Sequence, residues 1–559
     1  MASSGNFAVL NRLIKSSTNT YSFGGCRITS SSGGWGSPLT LAANTGKYYV
    51  EVYFAVSDTN GGRISVLPTN SAKYNDGDQS AAGTGDYAVE WKYDGDSNFI
   101  ANNNSSTQAS VGSWAQGDVA AVAINLDASP KTVQFYKNNS TIGTAENINT
   151  SAEGPFTVMI YAHNAGTWHI NAGQDSTFGG ALSAGGNADG NGFGDFKYSP
   201  PSGFNALCSA NLPVASNIDP AKTDDNHPQK QFGAVTYTGN AGTNAISGVG
   251  FQPDLVWIKI SNTASNGPLV DSSRGANKPI FSQVTNAEVT SADISSFDSD
   301  GFTLTGTGDY DANFNGNTNS YVAWCWRANG GTTSTNTSGT ITSTVQANTA
   351  AGFSIVQYTG TGTNSTIGHG LSVAPEYMII KNLDTTDNWI NYNKVGGAAN
   401  RGQLNTGNYG TSTTSFQSTD PSATVITLGT SSGVNKSTSD MIAYVWHGVE
   451  GYSKFGKYKG NGNSDGPHVY TGFRPTLVSM IRSTGGSYNV FDSARYTFNP
   501  IDAYLQWTAH DAQTTGYPID FLANGFKIRT TGTGINQNDV DFYYAAWGDV
   551  PFKYHNTLP

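Results

Sequence analysis

Tyr458-Lys459-Gly460, followed by Gly472-Phe473-Arg474-Pro475 and the apolar run Leu477-Val478-Ser479-Met480-Ile481-Arg482, is a pattern that the chain writes three times. Tyr237-Thr238-Gly239 leads to Gly250-Phe251-Gln252-Pro253 and Leu255-Val256-Trp257-Ile258-Lys259-Ile260. Tyr358-Thr359-Gly360 leads to Ala374-Pro375 and Tyr377-Met378-Ile379-Ile380-Lys381. From each Pro the chain reaches a Trp that closes a second apolar run, Trp326, Trp446 and Trp547, at 326 − 253 = 73, 446 − 375 = 71 and 547 − 475 = 72 residues. Such agreement between otherwise divergent stretches marks three copies of one unit. Pro has no N–H for a ladder, so it belongs at the first residue or the edge of a strand. The continuous apolar run after it suits a strand buried on both faces. The closing runs 321–326, 441–446 and 542–547 are its expected partners. Tyr237, Pro253, Trp326, Tyr358, Pro375, Trp446, Tyr458, Pro475 and Trp547 are therefore read as structural anchors of the repeat, with core packing preferred over ligand contact.

At 559 residues the chain holds several domains, at roughly 100–200 residues each. It carries 67 Gly, and charged residues are only 12%, against about 25% in ordinary globular chains. Aromatics at 12% argue against disorder. The composition fits an all-β protein rich in turns. Net charge is −11 and no basic stripe is visible, so nucleic acid is not an expected partner, because that binding runs on phosphate neutralisation. Cys26, Cys208 and Cys325 are far apart and odd in number, which reads as buried free thiols. Neither a signal peptide nor an apolar run near the ~20 residues of a membrane helix is visible, so membrane insertion is not expected.

Residues 1–205 read as one β-rich unit, with strands expected at 47–54, 118–126, 132–139, 157–161 and 168–173. Gly46-Lys47-Tyr48-Tyr49-Val50-Glu51-Val52, Gly117-Asp118-Val119, Phe135-Tyr136-Lys137-Asn138 and Asn171-Ala172-Gly173-Gln174, in that order, resemble the SPRY family. The resemblance implies a concanavalin-like β-sandwich with ligand-binding loops. The expected fold is all-β: this SPRY-like sandwich, then three tandem β-sandwich repeat domains. The boundaries are 1–205, a linker 206–230, repeat one 231–328, a Ser/Thr/Gly linker 329–350, repeat two 351–455 and repeat three 456–559.

Glu450-Gly451-Tyr452-Ser453-Lys454-Phe455-Gly456, Asp465-Gly466-Pro467 and Asp520-Phe521-Leu522-Ala523-Asn524-Gly525-Phe526-Lys527 resemble an uncharacterised repeat domain of tailed-phage virion proteins, especially marine ones. In that family the repeat commonly follows a SPRY-like domain. The opening Gly5-Asn6-Phe7-Ala8-Val9-Leu10-Asn11 resembles the usual start of such proteins. The resemblance implies a virion structural or appendage protein, a tail fibre, spike or capsid decoration, made in the host cytoplasm and attaching multivalently to the host surface. Its expected partners are other tail or capsid proteins and a host-surface glycan or protein receptor. A homo-oligomer is expected, a trimer being the natural symmetry of a fibre, although no coiled-coil heptads enforce it. No enzyme activity and no cofactor are implied. A virion-associated polysaccharide depolymerase and a purely architectural component are the alternatives.

Candidate chemistry is sparse. Gly429-Thr430-Ser431-Ser432-Gly433 matches G-x-S-x-G, which needs a strand–elbow–helix setting, and a chance match among turn residues is the expectation. Asn187-Ala188-Asp189-Gly190-Asn191-Gly192 resembles half a calcium loop but has Tyr198 where the bidentate acid belongs, and Asp309-Tyr310-Asp311-Ala312-Asn313 and Asp94-Gly95-Asp96-Ser97-Asn98 fit worse. Solvated turns are expected, and no metal. No catalytic residue is assigned. Loop aromatics are the ligand-binding candidates: Trp35, Trp114 and Trp389, each beside turn residues, could stack on a sugar or anchor a protein. Asn489-Val490-Phe491-Asp492 is aligned with the place of Trp389 in repeat three. Recognition is expected in loops that differ between repeats, 262–297, 384–420 and 484–518.

Overall fold

A computed structural model describes residues 7–14, 18–31, 36–56, 61–71, 73–74, 87–94, 97–103, 105–152, 154–213 and 227–549. The chain is all-β, as its composition predicts, with one-turn helices as the only α structure among these residues. It divides into two compact units, one of Met1–Pro213 with Pro467–Gly472, the other of Val214–Gly466 with Phe473–Pro551.

The first unit is a two-sheet sandwich. One sheet runs Asn19–Ser22, Arg27–Ser30, Thr167–Asn171, Lys47–Val56, Val119–Asn125, Thr132–Lys137 and Ser140–Asn147 in spatial order, with Asn205–Ala206 added parallel to Lys47–Val56. The other runs Ser37–Pro38, Phe156–Tyr161, Arg63–Pro68, Val89–Asp94, Ser97–Asn102 and Ser105–Ala109. Val50, Val52, Phe54, Val122 and Trp168 of the first meet Ile64, Val66, Trp91, Val158 and Ile160 of the second in one core. The run 119–124 is buried on both faces, because Ala121 and Ala123 lie beneath Phe196, Ala206 and Cys208. Residues 206–213 therefore fold into this unit, while 214–226, the rest of the expected linker, lie outside the described residues.

In the second unit three sheets share one strand order. Copy one runs Phe232–Thr238, Ser320–Trp326, Leu255–Ile260, Pro268–Asp271, Ile280–Phe281. Copy two runs Phe353–Thr359, Asp440–Trp446, Tyr377–Asn382, Ile390–Asn393, Asn400–Gln403, and copy three Ser453–Lys459, Asp541–Trp547, Leu477–Arg482, Asn489–Asp492, Leu505–Gln506. The registers coincide: the closing Trp lies opposite Phe232 and Leu255, Phe353 and Tyr377, Ser453 and Leu477 in turn. The closing run sits centrally between the Tyr-x-Gly strand and the Pro-led strand. Each Pro stands two residues before its strand rather than at its first residue. The residue between them, Asp254, Glu376 or Thr476, donates its N–H to the carbonyl of Trp326, Trp446 or Trp547 at 2.9, 2.8 and 2.7 Å.

Alternate residues of the Pro-led strand serve two cores. Val256 and Ile258 face a second small sheet holding Phe302 and Leu304, as Met378 and Ile380 face Ile426 and Leu428. The other face turns inward, where Trp326, Trp446 and Trp547 meet with ring centroids 5.8, 5.4 and 5.7 Å apart. One core takes residues from all three copies. Each copy thus pairs a larger sheet with a small one, as expected of a sandwich, and the other face of its larger sheet packs in the shared core. The expected linker 329–350 is corrected. Ser334–Asn336 and Ser343–Asn348 form strands that extend the sheet of copy two beside Phe353–Thr359. Its Ser/Thr/Asn wording suits an edge whose side chains face water, as the exposed Ser334, Thr335 and Thr344 do.

Candidate functional site

The Tyr-x-Gly wording has a local cause that also removes two candidate sites. Tyr237, Tyr358 and Tyr458 each donate their hydroxyl to a carbonyl in a one-turn helix, that of Phe314, Val434 or Ile535, at 2.6, 2.5 and 2.7 Å. The next residue along, Asn315, Asn435 or Asn536, accepts the N–H of Asn240, Thr361 or Asn461. The Gly between permits the close approach: a Cβ on Gly460 would stand 2.2 Å from the Gln537 carbonyl. Counting back from the Asn, Ser431 of the G-x-S-x-G string corresponds to Asp311 of the acidic string and to Gly532. The hydrolase-like and calcium-like strings are thus one structural turn seen twice. A one-turn helix does follow Ser431, Ser432–Asn435, contrary to a setting without helix, but Ser431 ties its backbone to Thr414 and Ser432 donates to Asp387.

The Asp189 turn is likewise closed on itself. Its carboxylate accepts the N–H groups of Asn191, Phe193 and Ala206 and the amide of Asn211. Among the described residues no group of three or more His, Cys, Asp or Glu could hold a metal. Asp94–Asn98 falls partly outside the described residues. Glu51, missed by sequence reading, is fully buried and accepts the N–H groups of Lys197 and Tyr198 and the Asn171 amide. Burial pushes its carboxyl up to about 7, against those bonds. It is a brace for the 185–198 loop, and its place in an apolar strand was the available signal.

Two of the three loop aromatics are corrected. Trp114 is 4% exposed and stacks on Phe54 at 5.0 Å, edge-on to Trp91 and Trp168. Trp389 is wholly buried, and its indole N–H donates to the carbonyls of Phe281 and Val284 in copy one. Its counterpart in copy three is Tyr488, one residue before the stretch 489–492, as the pairing of Tyr377 with Asn393 and of Leu477 with Asp492 requires. Trp35 lies outside the described residues. The nine repeat anchors sit in the strands and turns described above.

The loops that differ between copies build the seams. Ser265 N–H donates to the His510 carbonyl at 2.7 Å, Asp387 to Thr285 at 3.0 Å and Gly486 to Gly407 at 2.8 Å. Donor and acceptor occupy the same positions of the repeat each time, so copy one bonds copy three, copy two bonds copy one and copy three bonds copy two. The ring is closed. Beside these bonds, Lys259 and Lys381, both fully buried, donate to the Ala509 and Thr285 carbonyls of the neighbouring copy. Ile481 holds that place in copy three. Burial lowers both lysines to about 8.

Two adjoining clefts open along the seam of copies one and three. One, of about 420 Å³, is lined by Ile260, Ser265, Asn266, Asn313, Asn319 and His510. The other, of about 370 Å³, is lined by Thr236, Ser261, Ser320, Arg495, Tyr496 and Gln513, with Tyr237 and Tyr321. Both are within the size range of small-ligand sites. Arg495 belongs to a motif that sequence reading passed over, Asp271-Ser272-Ser273-Arg274 and Asp492-Ser493-Ala494-Arg495. In each, the Arg donates from both N and Nε to the Asp three residues before it. The repeated Asp-x-x-Arg spacing was the signal. Phe498, 84% exposed, lies two residues beyond Tyr496.

A family model described as "Domain of unknown function (DUF7483)" matches residues 227–551, which take in all three copies. No curated protein matches the chain. Among solved structures it is similar to the TRIM65 PSpry domain, at 12% identity and TM-score 0.24, over 30% of this chain and 92% of that one. It is similar to the SPRY domain of human HERC1, at 18% identity and TM-score 0.22, over 27% and 91%. Stonustoxin is similar at 14% identity and TM-score 0.23, over 30% of this chain and 27% of that protein.

Proposed function

The chain belongs to the family of the DUF7483 domain of unknown function, which spans more than half of it, and from that footing we propose that it is a structural or appendage protein of a tailed-phage particle that helps attach the particle to its host. The order of a SPRY-like unit before phage-type repeats suggests the particle. The observation that carries a structural role is the closed ring: three copies joined by the same main-chain bond make one body in which each copy completes the core of its neighbours. Such a body holds a surface rigidly. It also supplies a threefold body within a single chain, so a trimer of chains is not needed to obtain that symmetry. Because the variable loops are spent on seams, avidity would come from many chains on one particle rather than from three free modules in each.

Mass spectrometry and antibody labelling of density-purified particles test the location. Peptides of the chain in the particle fraction are expected, and their absence would overturn the reading. The purified chain should slow adsorption of the particle to host cells. Release of oligosaccharides from host-surface glycans by the purified chain would overturn attachment by binding alone.

A further inference from the structure

The seam of copies three and two differs from the other two seams in what stands at four shared positions. Copy two supplies Tyr377 and Asn391 there, and copy three supplies Ser479 and Tyr488. By the same register the seam of copies two and one has Leu255, Leu269, Ile379 and Trp389. The seam of copies one and three has Leu477, Val490, Trp257 and Gly267. Neither of those sets contains a hydroxyl or a side-chain amide. In the polar seam the amide is already engaged: the Asn391 oxygen accepts the Tyr488 hydroxyl at 3.1 Å, and its nitrogen donates to the Met378 carbonyl at 2.9 Å. The hydroxyls of Tyr377, Tyr409 and Ser479 are buried and meet no hydrogen-bond partner in the protein; that of Tyr377 lies near Asn391 but outside bonding geometry. All three residues line one cavity of about 10 Å³. Burial pushes the Tyr377 and Tyr409 phenols above their ordinary range, so both keep their protons.

We infer that this seam binds one internal water molecule, held by the hydroxyls of Tyr377 and Tyr409 from copy two and of Ser479 from copy three. A buried hydroxyl left unpaired is costly, and three of them around one cavity call for a shared partner. The cavity has the size of a single water, and a buried water ordinarily makes about three hydrogen bonds. Each hydroxyl can donate or accept, and a water can do both, so the set is satisfied whichever way the protons point. A cavity with apolar walls stays dry, which is why the polar positions decide the occupant. Copy two brings the phenols and copy three the serine, so the water bridges this pair of copies and no other. It stands beside the main-chain bond from Gly486 to Gly407 as a second link across the same seam. The repeat pattern does not contain that link, because the other two seams lack its hydroxyls.

The test is a crystal structure of the full chain together with magnetic relaxation dispersion of water, which counts long-lived internal waters. The expected result is a density peak within about 2.5–3.0 Å of all three hydroxyl oxygens, which a bromide soak does not replace. Ser479→Val fills the cavity with a branched side chain, as Ile379 does at the counterpart position. The double variant Tyr377→Phe with Tyr409→Phe removes both phenols without filling it. Each should show one long-lived water fewer than the unaltered chain. Ile379→Val, at the seam of copies two and one, should leave the count unchanged. No peak, a peak that bromide replaces, an unaltered count in either seam variant that folds, or an equal fall in Ile379→Val would each overturn the inference. If one seam variant fails to fold, the other decides.

Discussion

At the seam of copies one and three, Trp507 stacks on Trp257 at 4.2 Å and meets Trp324 edge-on. At the seam of copies three and two the corresponding residues are Leu404, Ser479 and Ala545. There Tyr488 donates to Asn391 at 3.1 Å, and a cavity of only about 10 Å³ remains among Tyr377, Asn391, Ser479, Tyr488 and Ala545. The main-chain bond across the two seams is the same. The backbone therefore specifies that three copies close, and the side chains specify which neighbour each copy accepts. Three tryptophans fill one seam, whereas Tyr488 stands beside Leu404, Ser479 and Ala545 at the other, so each seam has a filling that fits its own partner.

The largest expected effect separates these two fillings. Trp507→Ala should cost about 3–5 kcal/mol, read as a lower denaturant midpoint for the second unit, and more than Leu404→Ala. Equal losses would show that the two seams are filled alike. Next comes the backbone itself. Gly407 has φ +69° and a Cβ there would stand 1.9 Å from the Gly486 carbonyl oxygen. Gly407→Ala should cost about 3 kcal/mol, while Gly410→Ala, with open space around it, should be nearly silent in the same melt. Tyr444→Phe removes a hydroxyl held between Asp271 at 2.7 Å and Arg274. It should cost about 1.5–3 kcal/mol and should leave the Trp507 seam unaltered in a double-mutant cycle.

A further effect is one of pH. Lys259 and Lys381 sit near 8 in the fold and near 10.4 in an unfolded chain. Between those values the unfolded state holds more protons, so stability rises with pH through that window and is lowest below it. Melting curves between pH 8 and 10 should move upward. The movement should shrink in Lys381→Met, since one of the titrating groups is then gone.

The repeat was legible because its causes are local. A Pro before a buried strand, a Tyr reaching a carbonyl and a Gly under another carbonyl recur wherever the chain makes the same turn. The seams were not legible in that way. Trp389 sits among Asp387, Asn388 and turn residues because it crosses to another copy, and nothing in its own neighbourhood reveals the indole's acceptors more than a hundred residues away. For the same reason variability in 262–297, 384–420 and 484–518 looked like recognition, when much of it answers the neighbouring copy. The Asp-x-x-Arg pair was visible, but its further partners, Glu288 and Gln513, are brought to it only by the fold. The segment 329–350 misled because an edge strand with a wet face can share a linker's composition.

The bond from Ser265 to His510 joins the first copy to the last, and it makes the second unit unlike an open solenoid. In a linear array the terminal repeats need special outer faces, and the ends can fray while the middle holds. Here no copy is terminal. Melting any one of them strips two seams at once and exposes the shared tryptophans, so partial unfolding has no inexpensive intermediate. Three copies of about a hundred residues each should then lose structure in a single all-or-none step.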